Sequence, residues 1–404
     1  MKFLRTVSTR RLLATIVGVV GAIAAGAAIA VAAGGSGPVP GPASLPSAIH
    51  QALSAPAAQG ISARITFTNS LISSDDIQGR DPLLNGASGR LWWSDDHQLR
   101  LELQGDNGDA QLVVDNGSFW VFDPTSNTVY EGKLPADEQT GQTKSDRMPS
   151  IAEIQSNLEQ LMTHLDIAGP LPADVAGQPA YTVRVSPKHG GGLLGAAQLA
   201  WDASNGVPLE IGVYARNDSN PVLALKVTDI SFGPVSSSVF AISPPSGAKV
   251  VTVSTPSSAQ AAVKPAERTQ HTRVTGAAAV ARHLSFGLVA PSKLVGVPLQ
   301  SVSLLSSGKS PGALVTYGQN LGGMIVIEAP QQSQSAPAPS SGSGGQQGLS
   351  LPSVSIDGSS GQELDTALGT VVRFSRAGIT FTVLGSVPAV AANDAARALA
   401  AQTR

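Results

Sequence analysis

The sequence predicts an α+β protein whose larger part is an antiparallel sheet and whose smaller part is a second α+β unit. Residues 89–124 form short runs in which apolar and polar side chains alternate between Asp, Asn and Gly breaks. In Leu99–Leu103, for example, every second residue is Leu, with Arg100 and Glu102 between, a period typical of a half-buried strand. A length of 404 residues accommodates about two domains of ordinary size.

The N-terminus predicts export. Four basic residues precede an uncharged apolar run from Leu12 to Ala33: Lys2, Arg5, Arg10 and Arg11. That run is long enough to span a bilayer, and the basic residues before it favour a cytoplasmic N-terminus. Ala30-Val31-Ala32 also resembles a signal-peptidase site. We therefore predict that residues 1–33 are a signal anchor or a signal peptide. The body would then be single-pass at the cell membrane on its extracytoplasmic face, or secreted if the segment is cleaved.

The first half of the body begins after a Gly/Pro-rich linker at residues 34–46. Ala48–Ala58 is predicted to be a short helix, and Ile61–Thr68 alternates as the first strand. Two segments rich in aromatic residues, Leu91-Trp92-Trp93 and Phe119–Phe122, lie in the series of antiparallel strands that follows, which we call the meander. Only 4% of the whole chain is aromatic. Such a concentration of aromatic side chains on one sheet indicates either a core or an apolar cavity.

A helix interrupts this sheet. Ser150-Ile-Ala-Glu153 has the spacing of a capping box, in which the Ser and Glu side chains satisfy each other's backbone N–H groups. It precedes a helical stripe of apolar residues: Ile151, Ile154, Leu158, Leu161, Met162 and Leu165. Further strands are predicted at 180–186, 196–201, 207–215 and 222–230, with turns at Asn205-Gly206 and Asn217–Asn220. Asn116-Gly117, in the earlier part of the sheet, is also predicted to be a tight turn.

The C-terminal part is predicted as a separate small α+β domain at residues 276–388, after a linker at 253–275. Its predicted elements are a helix at 276–286 and strands at 302–305, 312–317, 324–328, 371–375 and 379–384. Residues 331–349 are low in complexity and are predicted to be a disordered insert. The tail 389–404 is Ala-rich and predicted to be helical.

Composition excludes several classes of function. Charged residues make up 13% of the chain and the net charge is −2, without a basic cluster outside the N-terminus. Nucleic acid is therefore not an expected partner, because neutralising phosphates requires clustered Lys and Arg. The absence of cysteine excludes disulfides and a lipidated Cys, and the six His residues show no ligand spacing. His189-Gly-Gly-Gly lacks the G-x-S-x-G partner motif that hydrolases need. We predict a protein that is not an enzyme and holds no metal or cofactor.

Three blocks carry a resemblance to a known family. They are Ile61–Thr68, then Ser88–Trp92 together with Leu112–Phe122 (LVVDNGSFWVF), and finally Val239–Val250 (VFAISPPSGAKV). Together they resemble the LolA/RseB superfamily of lipid-handling half-barrels over about residues 47–252. Leu314–Glu328 resembles the small C-terminal domains of actinobacterial surface proteins and of RseB-type regulators.

The resemblance implies a strongly curved antiparallel sheet, an incomplete β-barrel, with lid helices that enclose an apolar cavity for acyl chains. The implied function is that of an exported, membrane-tethered binding protein for a lipid or lipoprotein acyl group. The alternative is an RseB-like envelope sensor that regulates an anti-sigma or other membrane protein partner. One departure is that Ser94–His97 offers no Arg where the classical carriers have one.

The expected acyl site combines strand residues with the predicted lid helix. Its members are Ile65, Phe67, Trp92, Leu101, Val114, Trp120, Phe122, Ile154, Leu158 and Leu161. The plainer alternative for Trp92 and Trp120 is an ordinary place in the core.

Overall fold

A computed structural model of the chain describes residues 37–72, 84, 86–105, 108–134, 149–253, 274–307, 310–331 and 351–403. The predicted anchor 1–33, most of the linker 253–275 and most of the insert 331–349 lie outside these residues. The described part is mostly β-strand, as the sequence predicts, with four α-helices among the described elements.

The larger sheet has twelve strands in the order β12-β6-β5-β4-β3-β2-β1-β11-β10-β9-β8-β7. The predicted meander forms its consecutive part, and the first strand pairs with both β2 and β11. A β-bulge interrupts the β1–β11 register between Arg64 and Ile65. The strands are β1 Gly60–Asn69, β2 Ala87–Ser94, β3 Gln98–Leu103, β4 Ala110–Asp115, β5 Ser118–Asp123, β6 Thr128–Lys133, β7 Leu165–Val175, β8 Gln178–Pro187, β9 Leu194–Asp202, β10 Pro208–Ala215, β11 Pro221–Phe232 and β12 Lys249–Thr252.

The chain divides into two compact units. The first takes in Met1–Ala57, Arg147–Val185 and Ala197–Gly212, and the second takes in Ala58–Asp146, Ser186–Ala196 and Val213–Arg404. This division differs from the predicted boundary between 252 and 276, because it cuts through strands β9 and β10 and leaves the C-terminal sheet with the meander.

The first unit packs helix α1 (Leu45–Ser54) against strands β8 and β9. Ala48 of this helix lies in a cluster with side chains that share one strand face: Tyr181, Val183, Leu199, Trp201 and Ala203. The Tyr181 and Trp201 rings lie 6.1 Å apart between centroids. Burying these side chains against a helix stabilises the unit roughly in proportion to the apolar area removed from water.

Helix α2 (Ile151–Leu161) begins where the capping box predicts. The Ser150 hydroxyl accepts a hydrogen bond from the Glu153 backbone N–H at 3.3 Å, and the Glu153 carboxylate accepts from the Ser150 N–H at 2.7 Å. The helix ends before Leu165, which instead opens β7. This strand was not predicted, because Gly169, Pro170 and Pro172 are poor strand residues that edge strands nevertheless tolerate.

In the second unit, Asn116 and Gly117 form the predicted tight turn between β4 and β5. Both have positive φ angles, 47° and 70°. That is the requirement of a type I′ turn, whose twist matches that of the flanking strands.

We call Val239–Val250 the closing block, and most of it is irregular. Ser237–Val239 is a 3₁₀ helix, residues 240–248 are irregular, and only β12 pairs, in parallel with β6. Pro244 and Pro245 supply no backbone N–H groups, so this part of the block cannot form a regular ladder.

The C-terminal sheet has eight strands in the order β13-β14-β15-β16-β20-β19-β18-β17. The five predicted strands are present, whereas β17 and β18 were missed because their Ser, Gly and Asp content is typical of turns. The strands are β13 Lys293–Leu294, β14 Val297–Ser307, β15 Ser310–Tyr317, β16 Met324–Pro330, β17 Ser353–Ile356, β18 Ser359–Thr366, β19 Gly369–Arg376 and β20 Ile379–Gly385.

The Ala-rich tail is the helix that the sequence predicts, but it is not separate from this domain. Helix α4 (Ala389–Gln402) buries five residues completely in one core with Phe374 and Phe381: Ala392, Ala395, Ala396, Leu399 and Ala400. Helix α3 (Ala277–Ala281) is shorter than predicted and contributes Val280 to the same core.

This core contains a buried carboxyl group. Glu328 on β16 is fully buried; the Val289 N–H donates to its Oε2 at 3.1 Å, and its Oε1 has no partner among the described residues. Burial raises the pKa of Glu328 to about 7. Burial, and secondarily the charge of Glu328, also raises the pKa of Tyr317, whose hydroxyl has no partner in the described part of the chain.

The stability of this domain should therefore depend on pH. The pKa of Glu328 is higher in the folded state than in the unfolded state. Its contribution to the free energy of unfolding is therefore fully present below the unfolded value of 4.5 and is lost as pH rises towards about 7. The shift corresponds to about 3 kcal/mol. Hydrogen exchange of amides in β15, β16 and β20 should be slower at pH 5 than at pH 8 after correction for intrinsic rates.

Glu328→Gln should remove most of this pH dependence. Glu363→Gln, at a half-buried carboxylate of β18, is the control and should leave it in place. An unchanged pH dependence in the Glu328→Gln protein would contradict the assignment.

Candidate functional site

Strand pairing divides the meander into two faces. Directly opposed residues of antiparallel strands point to the same side of the sheet. One row across six strands is apolar: Ala63, Leu91, Leu101, Leu112, Val121 and Tyr130. The adjacent row on the other side is mixed: Ser62, Trp92, Arg100, Val113, Trp120 and Glu131. We call the side that carries the first row the apolar face.

The apolar face continues along each strand and onto β11. Its other members include Ile61, Ile65, Phe67, Gly89, Trp93, Leu99, Leu103, Ala110, Val114, Phe119, Leu223, Leu225 and Val227. Strands β1 to β4 place no charged residue on this side. These four strands therefore offer no acid, base or nucleophile on this side, so the chemistry available on them is the burial of hydrocarbon.

The apolar face has a buried floor and a more accessible strip. Ile65, Leu103 and Leu112 are at most 4% exposed. A second group is half-buried: Phe67, Leu91, Trp93, Leu101, Val114 and Leu225. The register makes these half-buried side chains neighbours, since Leu91 opposes Leu101 and Trp93 lies in the row of Leu99 and Val114. Gly89 lies in the same face, where a Cβ would collide with the Glu102 carbonyl oxygen.

A segment of the chain itself crosses part of the opposite face. The Arg100 guanidinium lies 5.1 Å from the Trp92 ring centroid and donates to the Val239 carbonyl oxygen at 2.9 Å. It also pairs with the Glu102 carboxylate. The connection from β11 to β12 therefore crosses this face, and its Phe240 is only 1% exposed. Trp92 is half-buried on this side and packs against Arg100.

The structure thus separates the predicted site residues into three groups. Ile65, Phe67, Leu101 and Val114 share the apolar face, whereas Trp92, Trp120 and Phe122 lie on the opposite face. The three helical residues, Ile154, Leu158 and Leu161, belong to the first unit. The register therefore does not place all the strand residues on one face, and the acyl-site role expected of these residues stays a prediction.

The stripe of helix α2 becomes more exposed towards its C-terminal end. Ile154 is buried, Leu158 is half-buried and Leu161 is 51% exposed. Leu161 lines a shallow pocket of about 340 Å³ together with Asn157, Gln160, His164 and Leu165. The lid role that the sequence suggests for this helix stays a prediction.

Sequence reasoning missed Trp93, the tryptophan on the apolar face. The available signal was the three-residue connection Asp95–His97, which makes Ser94 oppose Gln98 and hence Trp93 oppose Leu99. Counting back from the Leu99–Leu103 alternation would have assigned Trp93 rather than Trp92 to the side of the leucines.

The described residues contain neither a membrane-spanning helix nor a metal-binding cluster. None of the described helices is both long enough and apolar enough to cross a membrane. Within the described ranges, no group of three or more His, Cys, Asp or Glu side chains is arranged to hold a metal ion.

The solved structures to which this chain is similar have low sequence identity to it. The chain is similar to MucB in its complex with MucA from Pseudomonas aeruginosa, with 16% identity and a TM-score of 0.40 over 87% of this chain and 96% of that one. It is similar to a LolA-superfamily protein from Nitrosomonas europaea, with 9% identity and a TM-score of 0.21 over 48% of this chain and 96% of that one. No protein-family profile matches the chain, and no curated protein sequence matches it.

The structural role of the Arg100 contacts on the opposite face can be tested by mutation. Arg100→Met should lower the free energy of unfolding by about 2 kcal/mol, because it removes the hydrogen bond to Val239 and leaves Glu102 half-buried without its ion pair. Chemical denaturation followed by tryptophan fluorescence measures this. Arg64→Met, at an exposed pair with Asp229, is the matched control and should cost under about 1 kcal/mol. Equal losses in the two variants would contradict the description of this face.

Proposed function

We propose that this protein binds the acyl chain of a lipid or lipoprotein on the apolar face, outside the cytoplasmic membrane. The observation that carries the proposal is the uninterrupted apolar row from Ala63 to Tyr130. Its members Leu91 and Leu101 are half-buried, and the half-buried Trp93 lies beside them on the same face. An acyl chain requires no polar partner, and each methylene that leaves water contributes about 0.8 kcal/mol.

The same observation favours a binding protein over an enzyme. The charged residues of β2 and β3, Arg90, Arg100 and Glu102, all belong to the opposite face. An acyl chain on the apolar face would therefore meet hydrocarbon from these strands. The strip there supports recognition of an apolar tail, with the headgroup left outside.

We propose further that residues 12–33 tether the body to the cytoplasmic membrane. The run is uncharged, follows four basic residues and has the length of a membrane-spanning helix. Fractionation of the intact protein should recover it with membranes, with its C-terminus open to external protease. A mature chain in the medium that begins near Ala33 would show that the segment is cleaved instead.

Binding should be lost when a charge enters the apolar face. Leu101→Asp is expected to reduce the affinity for a fluorescent fatty acid at least tenfold, since the carboxylate would have to be desolvated beneath the acyl chain. Arg90→Asp introduces the same carboxylate on the neighbouring strand, at an exposed position of the opposite face. This variant should bind the fatty acid normally. Circular dichroism confirms that both variants are folded. Full binding by folded Leu101→Asp protein would refute the site.

Tryptophan quenching identifies the face directly. A fatty acid brominated in its chain should quench the protein's fluorescence, and Trp93→Phe should remove most of that quenching. Trp92→Phe should preserve it, because Trp92 packs against Arg100 on the other side of the sheet. Quenching that disappears with Trp92 and survives without Trp93 would place the ligand on the wrong face.

A second candidate function, envelope sensing with a membrane protein partner, is favoured by one contact. The glycine loop between β8 and β9 bonds to the C-terminal domain: the Gly322 N–H donates to the Gly190 carbonyl at 2.6 Å, and the Leu193 N–H lies 2.9 Å from the Ser386 hydroxyl. A Cβ on Gly192 would collide with Ser386. This joint gives the C-terminal domain a direct connection to a loop of the twelve-stranded sheet.

The two candidates differ in what the joint must do. If the protein senses lipid, Gly192→Val should uncouple fatty-acid binding from capture of an anti-sigma-type membrane partner, with fatty-acid affinity unchanged. Gly117→Val, at an open turn between β4 and β5, is the control for the general effect of replacing a glycine of positive φ. Partner capture that is independent of both fatty acid and Gly192 would remove the sensing candidate.

A further inference from the structure

The body begins in the first unit, at the end of strand β7. Gly37 lies so close to the Asp174 carboxylate that a Cβ on Gly37 would overlap it. Four residues later, the Tyr181 hydroxyl donates to the Gly41 carbonyl oxygen at 2.7 Å. These contacts fix the chain at residues 37–41 against the adjoining ends of β7 and β8, before helix α1 starts.

The proposed tether leaves little distance between this point and the bilayer. Only residues 34–36 separate Ala33, the end of the apolar run, from Gly37. Fully extended, four residue steps span at most about 14 Å. The headgroup layer on each side of the hydrocarbon is about 5–8 Å thick. If residues 12–33 span the membrane, the Asp174 end of β7 lies at the headgroups or just outside them.

The surface at that end is apolar and exposed. Val39 is 59% exposed, and Leu171, three residues before Asp174 on β7, is 45% exposed. Three strand residues extend about 10 Å, and because side chains alternate along a strand, Leu171 and Asp174 leave β7 on opposite faces and come near each other only along its exposed edge. Residues 167–173 carry no charge, and Asp166 and Asp174 bound them.

The form of this edge argues against another protein strand as its partner. β7 is the edge strand of the twelve-stranded sheet. Pro170 and Pro172 supply no N–H groups, which blunts the edge against pairing with a further strand. Exposed apolar side chains on a blunted edge, close to the proposed point of membrane entry, suit a lipid surface.

We propose that Val39 and Leu171, with the prolines beside them, form a membrane-docking patch that rests in the headgroup region of the bilayer that holds the tether. This inference rests on the tether of the proposed function. The patch lacks Lys and Arg, so its apolar side chains supply the contact and anionic lipid is not needed. The first unit is thereby turned towards the bilayer, from which lipid would be taken.

The absence of cysteine allows a direct test on the full chain. Leu171→Cys carries an environment-sensitive fluorophore, and the protein is reconstituted into phosphatidylcholine vesicles that contain nitroxide-labelled phospholipid. A residue about 5–10 Å into the interface should lose roughly half of its fluorescence to the nitroxide. Val390→Cys, 68% exposed at the start of helix α4, is the matched control and should lose little.

Each outcome decides the proposal. Strong quenching at residue 171 but not at 390, unchanged by phosphatidylglycerol, supports the patch. Absence of quenching at 171 in protein that floats with vesicles overturns the patch and leaves the tether standing. Blue-shifted but unquenched fluorescence would indicate a second copy of the chain and also overturns it. Protein that does not float overturns the tether and the patch together.

Fatty-acid binding is measured on the same labelled protein. Loss of that binding with quenching retained would refute the proposed acyl site and not the patch, so the two failures are distinguishable.

Discussion

The strand register of the meander is the constraint on which the rest of the structure depends. Tight connections such as Asn116-Gly117 and Asp95–His97 fix which residues oppose one another, and a one-residue slip would move every side chain to the other face. With the observed register, apolar residues from six strands collect on one side. The polar residues and two of the meander's three tryptophans collect on the other.

The two faces of this sheet differ in the side chains they carry, and a segment distant in the sequence crosses part of the mixed face, the side opposite the apolar face. Arg100 stacks on Trp92 and bonds to the Val239 carbonyl, so the connection from β11 to β12 is held across the mixed face. In that arrangement the Trp92 side chain packs against Arg100. The arrangement leaves the apolar face, with no charge on strands β1 to β4, as the surface suited to an acyl chain.

The C-terminal domain follows a different logic. Its sheet buries the small side chains of helix α4 against Phe374 and Phe381, and the same domain buries the Glu328 carboxyl group, which accepts a hydrogen bond from the Val289 N–H. The glycine loop of residues 190–192 touches this domain where any larger residue would collide. The sequence suggests only a flexible hairpin loop there. A glycine needed for backbone flexibility cannot be told from the sequence apart from a glycine needed because a side chain would collide with a neighbour.

The sequence by itself determined the mostly antiparallel fold, the capping box that starts helix α2, the Asn116-Gly117 turn and the helical nature of the alanine-rich tail. These are local: each depends on periodicity or on side chains within a few residues of one another. Only the tertiary structure decided that Trp93 rather than Trp92 joins Leu101, that Pro244 and Pro245 leave the closing block unpaired, and that residues 165–175 form an edge strand. Those outcomes depend on register and on contacts between distant segments, such as Arg100 with Val239, which no local pattern specifies.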